Sequence, residues 1–185
     1  MNFKINHNGA EVNRAMLLSP VRARKALSAS LNRTAAKANT ATSREIRADF
    51  NIKASALSKA VKVRKSTREL LRAVIVIRGK RIPRIEFGAR PSEVTYPRPK
   101  IGVSVKIKKA GGRAVIPHSF IARMKSGHIG VFLRKNDAGR LPVEELVGPS
   151  VPHLFKMRKA WAALTTTVRR EMPIEWARAW KFFGG

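Results

Sequence analysis

Between residues 59 and 72 the sequence places six cations, Lys59, Lys62, Arg64, Lys65, Arg68 and Arg72, and a second set, Lys106, Lys108, Lys109 and Arg113, frames the pair Gly111–Gly112. Side chains of this type at this density neutralise phosphates without reading bases. Stacking on single strands would need aromatics among them, yet residues 51–113 hold only Phe87 and Tyr96. No zinc-finger or RNA-recognition pattern accompanies the charge, and the helices offer no clear helix-turn-helix. Two chemistries stay open: non-specific, salt-dependent contact with a DNA backbone, or docking on an acidic protein surface.

Catalytic patterns fail one by one. His7, His118, His128 and His153 stand singly, without ligand spacing for a metal. His118 and Ser119 are neighbours, so a strand would point them apart, and no Gly-x-Ser-x-Gly elbow exists. Glu144 and Glu145 cannot face one site on a strand, and Glu45, Glu69 and Glu171 sit beside arginines that explain them as ion pairs. No phosphate-cradling glycine motif is present. No cofactor, metal or catalytic residue is predicted.

The chain of 185 residues carries 39 Lys+Arg against 11 Asp+Glu, a formal charge of +28, and no cysteine. A disulfide framework and a thiolate centre are thereby excluded. With 44% hydrophobic residues the chain can build a core, so it is not a disordered basic tail. The charge is uneven: residues 51–113 hold 18 basic and 3 acidic residues, whereas residues 114–150 hold 5 and 3. Such concentration favours a directed electrostatic role and an acidic partner over a solubility device. The opening Met1–His7 lacks an apolar signal core, and the longest apolar run, Ala73–Ile77, is far too short to span a bilayer. Synthesis in the cytosol without a membrane segment is expected.

The elements that must carry these residues follow from the apolar spacing. Ser19–Pro20 suits a helix start, and Ala23, Leu27, Leu31, Ala35, Ala38, Thr42, Ile46 and Phe50 recur at intervals of three and four. A helix of this length is a rod of roughly 45 Å. Its Ala- and Thr-rich middle allows close helix approach, against a neighbouring subunit through Leu27, Leu31, Ala35 and Ala38 or against the chain's own sheet. A short helix is expected from Ser55 to about Lys62. Strands are expected at Ala73–Ile77, at Arg81–Phe87 on an edge because Pro83 interrupts it, and at 101–109 paired with 113–117 through the glycines. Ile129–Arg134 reads as a strand ending in the turn Asn136–Gly139, with a partner at Leu141–Leu146, and Gly148–Pro152 as a rigid turn. Leu154, Met157, Trp161, Leu164 and Val168 mark a C-terminal helix. Pro173 is expected to begin a last one carrying Trp176, Trp180 and Phe183, either as a cap on the core or as a subunit contact.

Strands in one block between helices predict an α+β domain with a central antiparallel sheet of about five or six strands. The expected organisation is a single domain over 1–185. It comprises a long N-terminal helix within 1–52, a basic helix and strands over 53–113, a β segment over 114–152 and C-terminal helices over 153–185.

The near-neutral stretch supplies an identity that charge cannot. Ile116-Pro117 to Phe120-Ile121, Gly127-His128 to Gly130-Val131-Phe132 with Arg134, Leu141-Pro142-Val143 and Gly148-Pro149-Ser150-Val151-Pro152, in this order, resemble the minor tail protein Z family of long-tailed bacteriophages and prophages. The resemblance implies a non-enzymatic tail-completion protein of the virion, assembled in the host cytoplasm. It would sit at the head-proximal end of the tail, where DNA leaves the head, beside tail terminator, tail tube and head–tail connector proteins. It also implies a homo-oligomeric ring, a hexamer if it follows the sixfold symmetry of phage tails, with no membrane contact. An independent nucleic-acid-binding protein of nucleoid or ribosome-associated type is the alternative left by the residues alone.

Overall fold

The helix expected to open at Ser19–Pro20 does so, but it is not the first element. A computed structural model of the chain describes residues 1–6, 9–135 and 141–184. In order they form β1 (Asn2–Ile5), α1 (Ala10–Leu18), α2 (Pro20–Asp49), α3 (Ala54–Ala60), β2 (Val61–Arg64), β3 (Ala73–Ile77) and β4 (Arg81–Pro83). A 3-10 turn over Arg84–Phe87 leads to β5 (Val103–Val105), β6 (Ala114–Ile116), β7 (Phe120–Arg123), β8 (Ile129–Arg134), β9 (Val143–Glu145), β10 (Val147–Ser150), α4 (Val151–Lys156) and α5 (Arg158–Gly184). The expected turn at Asn136–Gly139 lies outside the described residues, as does His7.

The chain divides into two compact units, the first made of Met1–Glu45, Lys59–Arg78 and Phe155–Gly185. Its sheet has the order β1-β3-β2, antiparallel throughout. The β-branched run of β3 takes the central place because both its neighbours can pair with it, and Ala73, Ile75 and Ile77 are fully buried. The apolar stripe of α2 is covered within this unit: Ala23, Ala26, Leu31, Ala35 and Ala38 have no exposed surface. Thr34 Oγ1 donates to Met172 Sδ of α5 at 3.5 Å, so the small residues of α2 let α5 approach closely. The buried hydroxyls of this stripe are satisfied locally, Ser30 on the Leu27 carbonyl and Thr42 on that of Ala38.

The second unit, Ile46–Ser58 with Gly79–Leu154, is built from small antiparallel pairings. These are β4 with β10, β5 with β6, and β8 between β7 and β9. Val103, Val105, Ile121, Val131 and Ala89 form a common core, joined at its edge by Ile85, Ile116 and Leu146. Helix α2 ends where Phe50 bridges Lys108 and the Asn51 N–H donates to the Ile107 carbonyl at 2.9 Å.

The mixed α+β character is as expected, but the single central sheet is not found. The strands form sheets of two or three because proline and glycine cut them short. Pro83 ends β4, and the prolines of residues 88–100 precede a β5 of three residues. Residues 61 and 62, expected to close a helix, instead open β2, which pairs with β3. Of the turn expected at Gly148–Pro152, the first three residues belong to β10, which pairs with β4 across a register shift, while the last two begin α4. Helix α5 runs through Pro173 without a break. Pro173 is exposed, so water can serve the carbonyl it leaves free, while Leu164, Met172, Trp176 and Ala179 hold both halves in the core.

Candidate functional site

Strand alternation sorts the basic residues of the first unit. Along β2, Lys62 and Arg64 point outward while Val61 and Val63 are partly covered. The register places Lys62 opposite Val76, and Arg64 opposite Val74, which in turn lies opposite Lys4 of β1. Residues opposite one another share a sheet face, so Lys4, Lys62 and Arg64 stand together on the outer face. Lys59, at the end of α3, and Lys65, just after β2, are exposed beside them in sequence.

The loop after β2 is pinned to α2. Ser66 N–H donates to Asn32 Oδ1 at 2.7 Å, and its carbonyl accepts from Asn32 Nδ2 at 3.0 Å and Ser28 Oγ at 2.9 Å. The Arg68 carbonyl accepts from the Arg24 guanidinium at 3.1 Å. A hydrogen bond from its own backbone, then one from Thr67, holds the Glu69 carboxyl below the usual carboxylate range. Lys65 and Arg68 are thus presented outward from an ordered turn, whereas Arg72 is half-buried.

The second set lies in the second unit. Lys108 and Lys109 are exposed and Lys106 is half-buried. Arg113 is committed elsewhere: its guanidinium donates to the Gly88 carbonyl twice, at 2.9 Å each, and to the Ser104 carbonyl at 3.2 Å. It therefore clamps the β5–β6 hairpin and leaves little of its fork for a phosphate.

The residues expected at a subunit contact separate into two groups. Leu27, Leu31, Ala35 and Ala38 are buried within their own unit, so the chain itself occupies the stripe that a neighbour would have covered. Trp176 is also buried and stacks on Trp180 with ring centroids 5.6 Å apart, while Trp180 and Phe183 are only half-covered. Sequence reasoning missed the apolar surface beside them. Leu17 and Leu18 of α1, Val21 of α2 and Phe182 are exposed, and a pocket lined by Leu18, Trp176 and Trp180 joins α1 to the end of α5. The sequence reading passed over α1, whose nine residues bury Val12 and Ala15 and leave Leu17 and Leu18 outward.

Among the described residues no cluster of His, Asp or Glu suited to a metal is gathered, and no helix is long and apolar enough to cross a membrane. The family model described as prophage minor tail protein Z (GPZ) matches residues 18–183. No curated protein and no solved structure matches the chain.

Proposed function

Because the chain belongs to the prophage minor tail protein Z family, and so to the structural proteins of phage tails, we propose that it completes the tail at its head-proximal end and joins it to the head. The observation that carries this reading is the outer sheet face of Lys4, Lys62 and Arg64, continued by Lys59, Lys65 and Arg68. Among the described residues no aromatic ring is stacked on these cations, and they suit the repeating phosphates of DNA passing through the junction. A subunit with a net charge of +28 gains stability from such a polyanion.

Assembly into a ring would bury surface that one copy leaves exposed. The apolar set Leu17, Leu18, Val21, Trp180 and Phe182 takes the role first expected of the α2 stripe. Neighbouring tail proteins would share the rest of the ring's contacts.

Reversing Lys62, Arg64 and Lys65 to glutamate in the phage separates the uses of the basic face. With DNA as its partner, particles assemble but DNA delivery fails. With an acidic neck protein as its partner, assembly itself fails. Normal particles with normal infectivity would remove the basic face from the account.

A further inference from the structure

Arg98, Pro99, His118, Ser119, Phe120 and Arg134 line a pocket of about 220 Å³ in the second unit. None of these was among the residues singled out by charge density. The Arg98 guanidinium carbon lies 4.3 Å from the centroid of the Phe120 ring, and that of Arg134 lies 5.7 Å from it. Phe120 is 8% exposed, so the ring acts as a fixed wall against which both guanidiniums rest. Among the described residues no carboxylate pairs with either arginine. Two like charges are held beside one ring, and no carboxylate among the described residues offsets them.

The pocket wall is built under strain. His118 has φ of 59°, the left-handed region that a residue with a side chain adopts at a penalty. It is kept there by its neighbour: Ser119 Oγ donates to the Ile116 carbonyl at 2.6 Å and accepts from the Val103 N–H at 3.0 Å. Gly102, at φ 102°, lies so close to the Ile116 carbonyl that no Cβ would fit. Strain held by this many contacts commonly marks a site where a side chain must be presented.

We propose that this pocket receives a carboxylate from an acidic segment of a partner protein. Arg98 and Arg134 supply the charge and forked N–H donors, and His118 a third polar wall. Pro99 and Phe120 supply an apolar floor that a methylene stem can cover. A carboxylate on a flexible side chain fits this recess better than duplex DNA does. Of the six lining residues only Arg98 and Arg134 are cationic, so the pocket presents two charges in a small recess and not the extended row of charge that a phosphate backbone follows. The one aromatic face is buried and covered by guanidinium, which leaves no platform for a base. This inference does not depend on the basic face of the first unit or on the protein's place in the tail.

The test uses the full chain and fluorescein-labelled hexaglutamate, followed by anisotropy, with duplex DNA titrated in parallel. The Arg98→Ala/Arg134→Ala variant should bind the peptide about tenfold more weakly than wild type while binding DNA as before. A Lys108→Ala/Lys109→Ala variant, which loses the same charge from exposed residues, should bind the peptide as wild type does. His118→Gly should unfold no more easily than wild type, since glycine adopts positive φ freely, yet bind the peptide more weakly. Equal losses in the two double variants would overturn the pocket. Weakened DNA binding with intact peptide binding in the arginine variant would overturn the carboxylate in favour of a phosphate. Unaltered binding in His118→Gly would remove the imidazole from the site.

Discussion

Asn32 and Ser66 exchange two hydrogen bonds: Ser66 N–H donates to Asn32 Oδ1 at 2.7 Å, and Asn32 Nδ2 donates to the Ser66 carbonyl at 3.0 Å. One amide side chain on α2 thus fixes the backbone of the basic turn, and Ser66 itself is 5% exposed. Asn32→Ala would leave a buried donor unmet and the carbonyl with only Ser28, at a stability loss of about 1–3 kcal/mol. Hydrogen exchange at the Ser66 amide should accelerate far more than exchange in β3. Equal acceleration throughout would mean that the pair supports the whole unit and not the turn.

Lys37 of α2 reaches Glu175 Oε1 at 2.6 Å and Glu171 Oε2 at 2.7 Å on α5. The Lys37 hydrogen bond is the main cause that holds both carboxyls below their ordinary value of 4.5. The hydrogen bonds that Lys37 donates to Glu171 and Glu175 raise it above 10.5. The carboxylate contribution is complete above pH 4.5 and is lost as pH falls through the lowered values. The lysine contribution is complete below pH 10.5 and is lost as pH rises beyond it. Lys37→Met should lower the unfolding temperature at neutral pH, and its stability should fall less steeply than that of wild type below about pH 4.5. Parallel acid profiles for the two proteins would show that the cluster is not a determinant of acid sensitivity.

Pro173 interrupts the hydrogen-bond ladder of a continuous helix from an exposed position. Pro173→Ala restores one N–H donor and removes a ring clash, so it should stabilise the protein by about 1–3 kcal/mol, read from denaturant midpoints. Destabilisation would mean that the two halves of α5 need the proline to meet their separate partners.

Arg113 donates three hydrogen bonds to backbone carbonyls of Gly88 and Ser104. Lysine keeps the charge but cannot reproduce the fork, so Arg113→Lys should destabilise the protein by about 2 kcal/mol. The salt dependence of DNA binding should stay unchanged. A shallower salt slope without a stability loss would return Arg113 to the phosphate-binding set.

Long periodic stretches could be read in advance and short or cooperative ones could not. Ser19–Pro20, the run Ala73–Ile77 and the run Ile129–Arg134 each carry their own signal and became α2, β3 and β8. Strand β1 is four residues whose place depends on β3, and β10 contains Gly148–Pro149, which reads as a turn until β4 is present to pair with it. The basic face was half legible. Lys62 and Arg64 announce themselves by density, but Lys4 joins them only through a register that no local pattern encodes. The stripe Leu27, Leu31, Ala35 and Ala38 was clear as a buried face, yet periodicity does not say what covers it; it is buried within the chain, and Met172 of α5 meets Thr34 on the same helix. Arg98 and Arg134 are far apart in sequence and meet only at Phe120.

The central claim is position in the particle. Electron cryomicroscopy of virions carrying a tagged copy of this protein, decorated with a tag-specific antibody fragment, tests it directly. The account predicts added density at the head-proximal end of the tail, repeated around its axis. Density along the shaft or at the distal tip, or virions that lack the protein altogether, would contradict it.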